Sequence, residues 1–296
     1  MTRRALREIA RATAADWWSD DTFRLSASLA FYTIFSLAPI LLIAVAVAGS
    51  LFGEETVTRH LLIEIESLTG SEGASAVRTV IENMQRTGGS PYAAWTGIVV
   101  LLLGSTAVFV DLQSSLNRIW DVQVAPTRGV IRGFLRDRLM SFSIVLGVGF
   151  LLLVSLMISA GLAAVQELLE ARFQDLPALW RALNAVISFL IASLLFAMIY
   201  KVLPDVELTW SDVAVGAVVT AGLFSLGRYA IGAYLGEIAF GSRFGTAGSF
   251  VVLLVWVYYS ALVCFLGAEF TQVYARKYGA GIRPQAHAVR AGRKWD

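Results

Sequence analysis

The stretch FGTAGSFVVLLVWVYYSALVCFLGAEFTQVYARKYG, residues 244–279, decides how this chain folds. It carries no charge from Phe244 to Ala268, longer than the ~18 apolar residues that mark a membrane-spanning helix. Glu269, Arg276 and Lys277 then end the run. Working outward, five further uncharged runs stand at 25–53, 87–110, 139–166, 182–200 and 213–227, the last interrupted by Arg228 and then resumed. The chain is 57% hydrophobic and only 16% charged, whereas a soluble domain holds about 25% charged residues. Continuous apolar runs exclude a transmembrane barrel, which needs alternation along each strand. The expectation is an all-α polytopic membrane protein, six transmembrane helices in one bundle.

The placement of charge orients that bundle. Five, five and six of the 24 basic residues fall in three regions: before the first run (Arg3, Arg4, Arg7, Arg11, Arg24), between the second and third (Arg118, Arg128, Arg132, Arg136, Arg138), and in the tail (Arg276, Lys277, Arg283, Arg290, Arg293, Lys294). Lysine and arginine collect in cytoplasmic loops. Both termini are therefore expected in the cytoplasm. The loops after the first and third runs are richer in glutamate and read as outside. Residues 201–212, with Asp205, Glu207 and Asp212 against Lys201, depart from the pattern, although acidic residues weigh little in it.

No Ser/Gly/Pro linker divides the chain, so residues 1–296 read as a single membrane domain. Its appendages are a cytoplasmic N-terminal segment (1–24), an extracytoplasmic helical loop (53–91) and a basic cytoplasmic tail (275–296). Leu6, Ile9, Thr13 and Trp17 recur at helical spacing among arginines, as in a short amphipathic helix on the inner leaflet. The outer loop holds two helical patterns, VTRHLLIEIESL (57–68) and ASAVRTVIENMQ (74–85), separated by the turn-forming TGSEG. Small residues four apart (Gly49 and Gly53, Ala217 and Ala221, Gly232 and Gly236) permit close helix approach. Pro39, inside the first run, removes one helix hydrogen bond.

Ionisable residues within a membrane point to function. If the fifth span starts near Asp212, Arg228 stands 16 residues along, ~24 Å up a ~30 Å core. Its fork of donors suits a phosphate. Arg228, with the neighbouring hydroxyls of Tyr229, Tyr258 and Tyr259, is the candidate contact for a lipid or other substrate. The same arithmetic brings Asp111 and Glu269 to the inner interface.

Motifs for other chemistry do not occur. No P-loop is present: Lys201, Lys277 and Lys294 all lack the preceding glycine pattern. His60 and His287 form neither HExxH nor a paired ligand set, and the one cysteine, Cys264, excludes a thiolate cluster. No metal or cofactor is expected. The basic tail is read as meeting anionic lipid rather than nucleic acid.

RLSASLAFYTIFSLAPILL (24–42), LQSSLNRIW (112–120) and residues 244–279 together resemble the YihY/virulence factor BrkB family of bacterial inner-membrane proteins. The residues that carry the likeness are Tyr32, Ser36, Pro39, Asn117, Trp120, Tyr229, Gly245, Gly248, Trp256, Tyr258, Tyr259, Gly267 and Glu269. The resemblance implies a multi-pass protein of the bacterial inner membrane. Members have been linked with resistance to host killing, with transport and with movement of envelope lipids, and have carried the label ribonuclease BN. Asn117 and Trp120 are expected to fix the exit of the second span, and Glu269 to pair with a basic residue such as Arg24.

Three functions follow as expectations, in this order. The first is a transporter or flippase of lipid or another amphiphilic anion. The second is an envelope scaffold that binds a protein partner through the outer loop. The third is a membrane-bound ribonuclease, ranked last because the sequence offers no acidic or histidine cluster to hold metal ions against a phosphodiester. The chain is therefore read as a non-enzyme whose partners are membrane lipids.

Overall fold

A computed structural model describes residues 3–87, 107–124, 177–237, 240–279 and 281–292. The described chain is mostly helical. In order it comprises α1 (Arg3–Ser19), α2 (Thr22–Phe52), α3 (Glu54–Thr87), a helix α4 at 107–119, β1 (Val122–Val124), α5 (Pro177–Val202), β2 (Val206–Glu207), α6 (Trp210–Glu237), α7 (Phe240–Tyr278), β3 (Arg283–Pro284) and β4 (Ala288–Arg290). Three described helical segments are long and apolar enough to cross a membrane: Ala185–Val202, Trp210–Arg228 and Gly248–Tyr278. They carry the fourth, fifth and sixth apolar runs. The first run lies in α2, a helix of 31 residues that continues through Pro39. The second run, beyond 107–110, and the whole third run lie outside the described residues.

The chain divides into two compact units, residues 1–119 with 223–269, and residues 120–222 with 270–296. In the first unit α1 is the expected amphipathic helix, with Ile9 and Thr13 buried and Arg4, Arg7 and Arg11 exposed. Two aspartates turn it into α2. Asp21 takes a left-handed conformation (φ 56°, ψ 42°), which a short polar side chain tolerates better than most. Thr22 donates its hydroxyl to the Trp17 carbonyl at 2.8 Å, closing the elbow.

α3 bears out the two helical patterns of the loop. They form two helices meeting at Gly70, whose φ of 77° and ψ of 177° interrupt the ladder; only glycine enters that region readily. The break is one residue, not the whole TGSEG cluster. Nor is α3 a detached cap. Ala76, Val77 and Ile81 bury themselves with Leu41 of α2 and Leu253 of α7, and Ile34, Leu37 and Leu62 pack around them. Burial of apolar side chains against the span residues holds this segment in the core of its unit.

In the second unit two small antiparallel ladders tie distant segments together. Val122, Gln123 and Val124 pair with Arg290, Val289 and Ala288, while Val206 and Glu207 pair with Pro284 and Arg283. Further backbone bonds run from Ala291 to the Asp121 carbonyl and from Gln285 to the Asp205 carbonyl. The basic tail is thus tied down through its backbone. Residues 281–292 form a strap over the loops at 120–124 and 203–209, because their backbone groups find ladder partners there.

Glycine sets the crossing of α6 and α7 in the second unit. Gly216 faces Thr271 with no room for a Cβ, and Gly279 similarly faces the Asp212 carboxylate. Ala217 and Ala221 are buried, as close packing requires. At the earlier glycine pair, Gly49 lies against Glu54, and Gly53 is exposed with a φ of 86°. That pair serves the α2–α3 turn, not helix packing. Gly232 and Gly236 lie in a part of α6 whose side chains are outside the described set.

Candidate functional site

Of the residues expected to meet a substrate, Tyr259 of α7 packs against α6 beside Arg228 in the first unit. Gly227 leaves space that the Tyr259 phenol occupies, and the Tyr259 hydroxyl donates to the Leu223 carbonyl at 3.2 Å. Trp256 adds edge contact with Phe224 (centroids 5.7 Å) and a tilted contact with Tyr259 (6.2 Å). Arg228 follows Gly227 directly and is half-buried, as is Tyr258. The aromatic clasp thus fixes the helical turn that carries the guanidinium. Tyr259 spends its hydroxyl on the backbone, so its first role here is to position that turn. The Tyr229 side chain lies outside the described set.

A second polar group stands between α2 and α4. Arg24 and Arg118 both reach the Asp21 carboxylate, at 3.3 and 3.2 Å. One turn further along α2, Ser28 donates to Asp111 at 2.7 Å. The pairs 21–118 and 28–111 run antiparallel, which places the start of α2 beside the end of α4. Asp111, half-buried, therefore meets the start of the first apolar run. Arg24 serves Asp21. Glu269 itself is fully buried.

The remaining motif residues differ in exposure. Asn117 is buried, and Ser36 is buried with its hydroxyl on the Thr33 carbonyl. Tyr32 is exposed. Gly248, Trp256 and Gly267 are buried along α7. Pro39 and Gly245 lie in α2 and α7 at positions whose side chains are not described. Trp120 is fully buried where β1 begins, beside Asp121 in a left-handed conformation (φ 53°).

Sequence reasoning missed three features. Asp205 and His287 form a buried contact of 2.6 Å between the β2 loop and the tail; the acidic loop that departs from the charge pattern thus meets the tail directly. Gln272 is fully buried, with neither side-chain amide atom hydrogen-bonded, a placement that costs free energy without a polar partner. Ser28 and Asp111 are 83 positions apart. No periodicity links such pairs. The aromatic row Phe270, Tyr274 and Tyr278, with centroids 6.4 and 6.2 Å apart, was legible from its four-residue spacing. Among the described residues no three His, Cys, Asp or Glu side chains come together as a metal site.

The model of the family described as virulence factor BrkB matches residues 13–292. The chain belongs to that family. Among curated relatives of this BrkB-family chain, a UPF0761 membrane protein of Chromobacterium violaceum is 28% identical over 84% of the chain and 57% of its own length. One from Rhodospirillum centenum is 28% identical over 89% of the chain and 56% of its own length, and one from Tolumonas auensis is 26% identical over 86% and 81%. The chain therefore spans little more than half the length of several relatives it matches. They are named membrane proteins, in agreement with the apolar helices described above. No solved structure matches the chain.

Proposed function

We propose that this BrkB-family membrane protein moves a lipid or other amphiphilic anion across the bacterial inner membrane. In this reading six spans form one bundle, both termini are cytoplasmic, and no covalent chemistry is performed. The observation that carries it is Arg228: a half-buried guanidinium at the end of the membrane-length segment Trp210–Arg228, on a turn held by the Tyr259 clasp. An arginine at such depth is costly unless it meets an anion or reaches the interface, and its planar fork suits a phosphate headgroup. The ladders that join residues 120–124, 203–209 and 281–292 support placing these segments on one side of the membrane. Arg283 and Arg290 in the last of them support the cytoplasmic side.

The test is movement of labelled anionic lipid in proteoliposomes holding the purified chain, against empty vesicles. Arg228→Ala is expected to lower the rate by about tenfold or more with the thermal midpoint retained, and Arg228→Lys to restore it in part, since the ammonium keeps the charge but not the fork. Absence of movement in wild type sinks the transport reading. The scaffold reading has its own support in α3, whose exposed residues include Glu54, Glu55, Arg59, Glu66, Arg78 and Glu82. It expects that replacing this charged face abolishes function while the bundle stays folded.

A further inference from the structure

We propose that Asp111 is a proton-binding site, with Ser28 as its hydrogen-bond partner, and that its protonation couples the α2–α4 contact to substrate movement. The Ser28 hydroxyl donates to Oδ1 of Asp111 at 2.7 Å. The other oxygen, Oδ2, is buried and makes no hydrogen bond. An ionised carboxylate only accepts, and one left with an oxygen dry and unbonded is destabilised. A neighbouring cation ordinarily removes that cost. The charged groups on the two helices nearest the pair are Arg24, one turn before Ser28, and Arg118, two turns beyond Asp111. Both turn to Asp21, at 3.3 and 3.2 Å. Among the described residues no ion pair forms at the Asp111 carboxyl, which leaves it open to the proton.

Serine suits both states. Its hydroxyl donates to the carboxylate and can accept from the carboxylic acid, so the same pair survives the change of charge. Uptake forms one O–H bond on the carboxyl and breaks no bond in the protein; the proton comes from water and returns to it. Because the pair spans α2 and α4, the protonation state alters how firmly these helices hold each other. The neighbouring hydroxyls are already engaged: Ser26 donates to the Thr22 carbonyl and Ser114 to the Asp111 carbonyl. Neither competes for the carboxyl.

The proton site stands on its own geometry, whereas its coupling to transport rests on the function proposed above. The experiment treats the full chain in vesicles with dicyclohexylcarbodiimide, which attacks protonated carboxyls in apolar surroundings. Mass spectrometry then maps the label between about pH 5 and pH 9. Labelling at Asp111 that falls as pH rises supports the site. Ser28→Ala is expected to move the half-labelling pH upward by about one unit, because a donor to the charged form has been removed. Glu269→Gln should leave labelling at Asp111 in place, and Asp111→Asn should abolish it. Absence of label at Asp111 across the range, or label indifferent to pH, overturns the proton site. If labelling behaves as expected and a pH gradient speeds lipid movement in wild type but not in Asp111→Asn, the coupling holds. If labelling behaves so and wild type moves no lipid, the transport reading fails and the proton site remains.

Discussion

Gly216 and Gly222 stand six residues apart on α6 and differ in what a side chain would meet. A Cβ at Gly216 would strike Thr271, whereas one at Gly222 would meet nothing within 4 Å. Gly216→Ala is therefore expected to destabilise the protein by about 1–3 kcal/mol through overpacking. Gly222→Ala should be neutral or stabilising by up to about 1 kcal/mol, since alanine is the better helix former. Thermal unfolding in detergent, read side by side, checks the pair; equal shifts would refute the assigned crossing. Neither glycine was among those singled out from spacing. A small-residue pattern says that helices can approach, but which glycine lies at the crossing depends on the rotation of both helices.

At the scale of elements, α3 shows how far periodicity reads. Two amphipathic patterns and the turn between them were visible, and both helices are present. That they pack into the unit's core on Leu41 and Leu253 was not visible, because an apolar stripe does not name its partner. The break at Gly70 is conformational and not steric: φ is 77° and nothing lies within 4 Å of an added Cβ. Gly70→Ala should cost about 1–3 kcal/mol despite the open space, measured as a fall in unfolding free energy. An unchanged value would mean that the helix runs straight through.

For the molecule as a whole, the strap at 281–292 is the device that composition concealed. Asp205 and His287 touch at 2.6 Å with little exposure of either side chain, and backbone bonds flank them. Removing one partner, as in His287→Ala or Asp205→Ala, is expected to loosen the strap by about 1–3 kcal/mol. Limited proteolysis in detergent should then cut within 281–292 several-fold faster than in wild type. Cleavage at the wild-type rate would show that the ladders alone hold the tail. Trp120 and Gln272, both fully buried in the same unit, mark it as a folded body and not a set of loops.

By itself, the sequence determined the membrane class, the helical character, the places of the described apolar runs, the amphipathic α1, the two helices of α3 and membership of the BrkB family. These follow from signals local along the chain: run length, 3.6-residue periodicity, turn residues and quoted motifs. Only the tertiary structure decided that Asp111 belongs to Ser28, that Arg24 serves Asp21, that His287 meets Asp205, and that Gly216 and Gly227 are the points of closest approach. Those pairings depend on how helices rotate and stack. Hydropathy is indifferent to rotation, because lipid and a neighbouring helix accept the same apolar side chains.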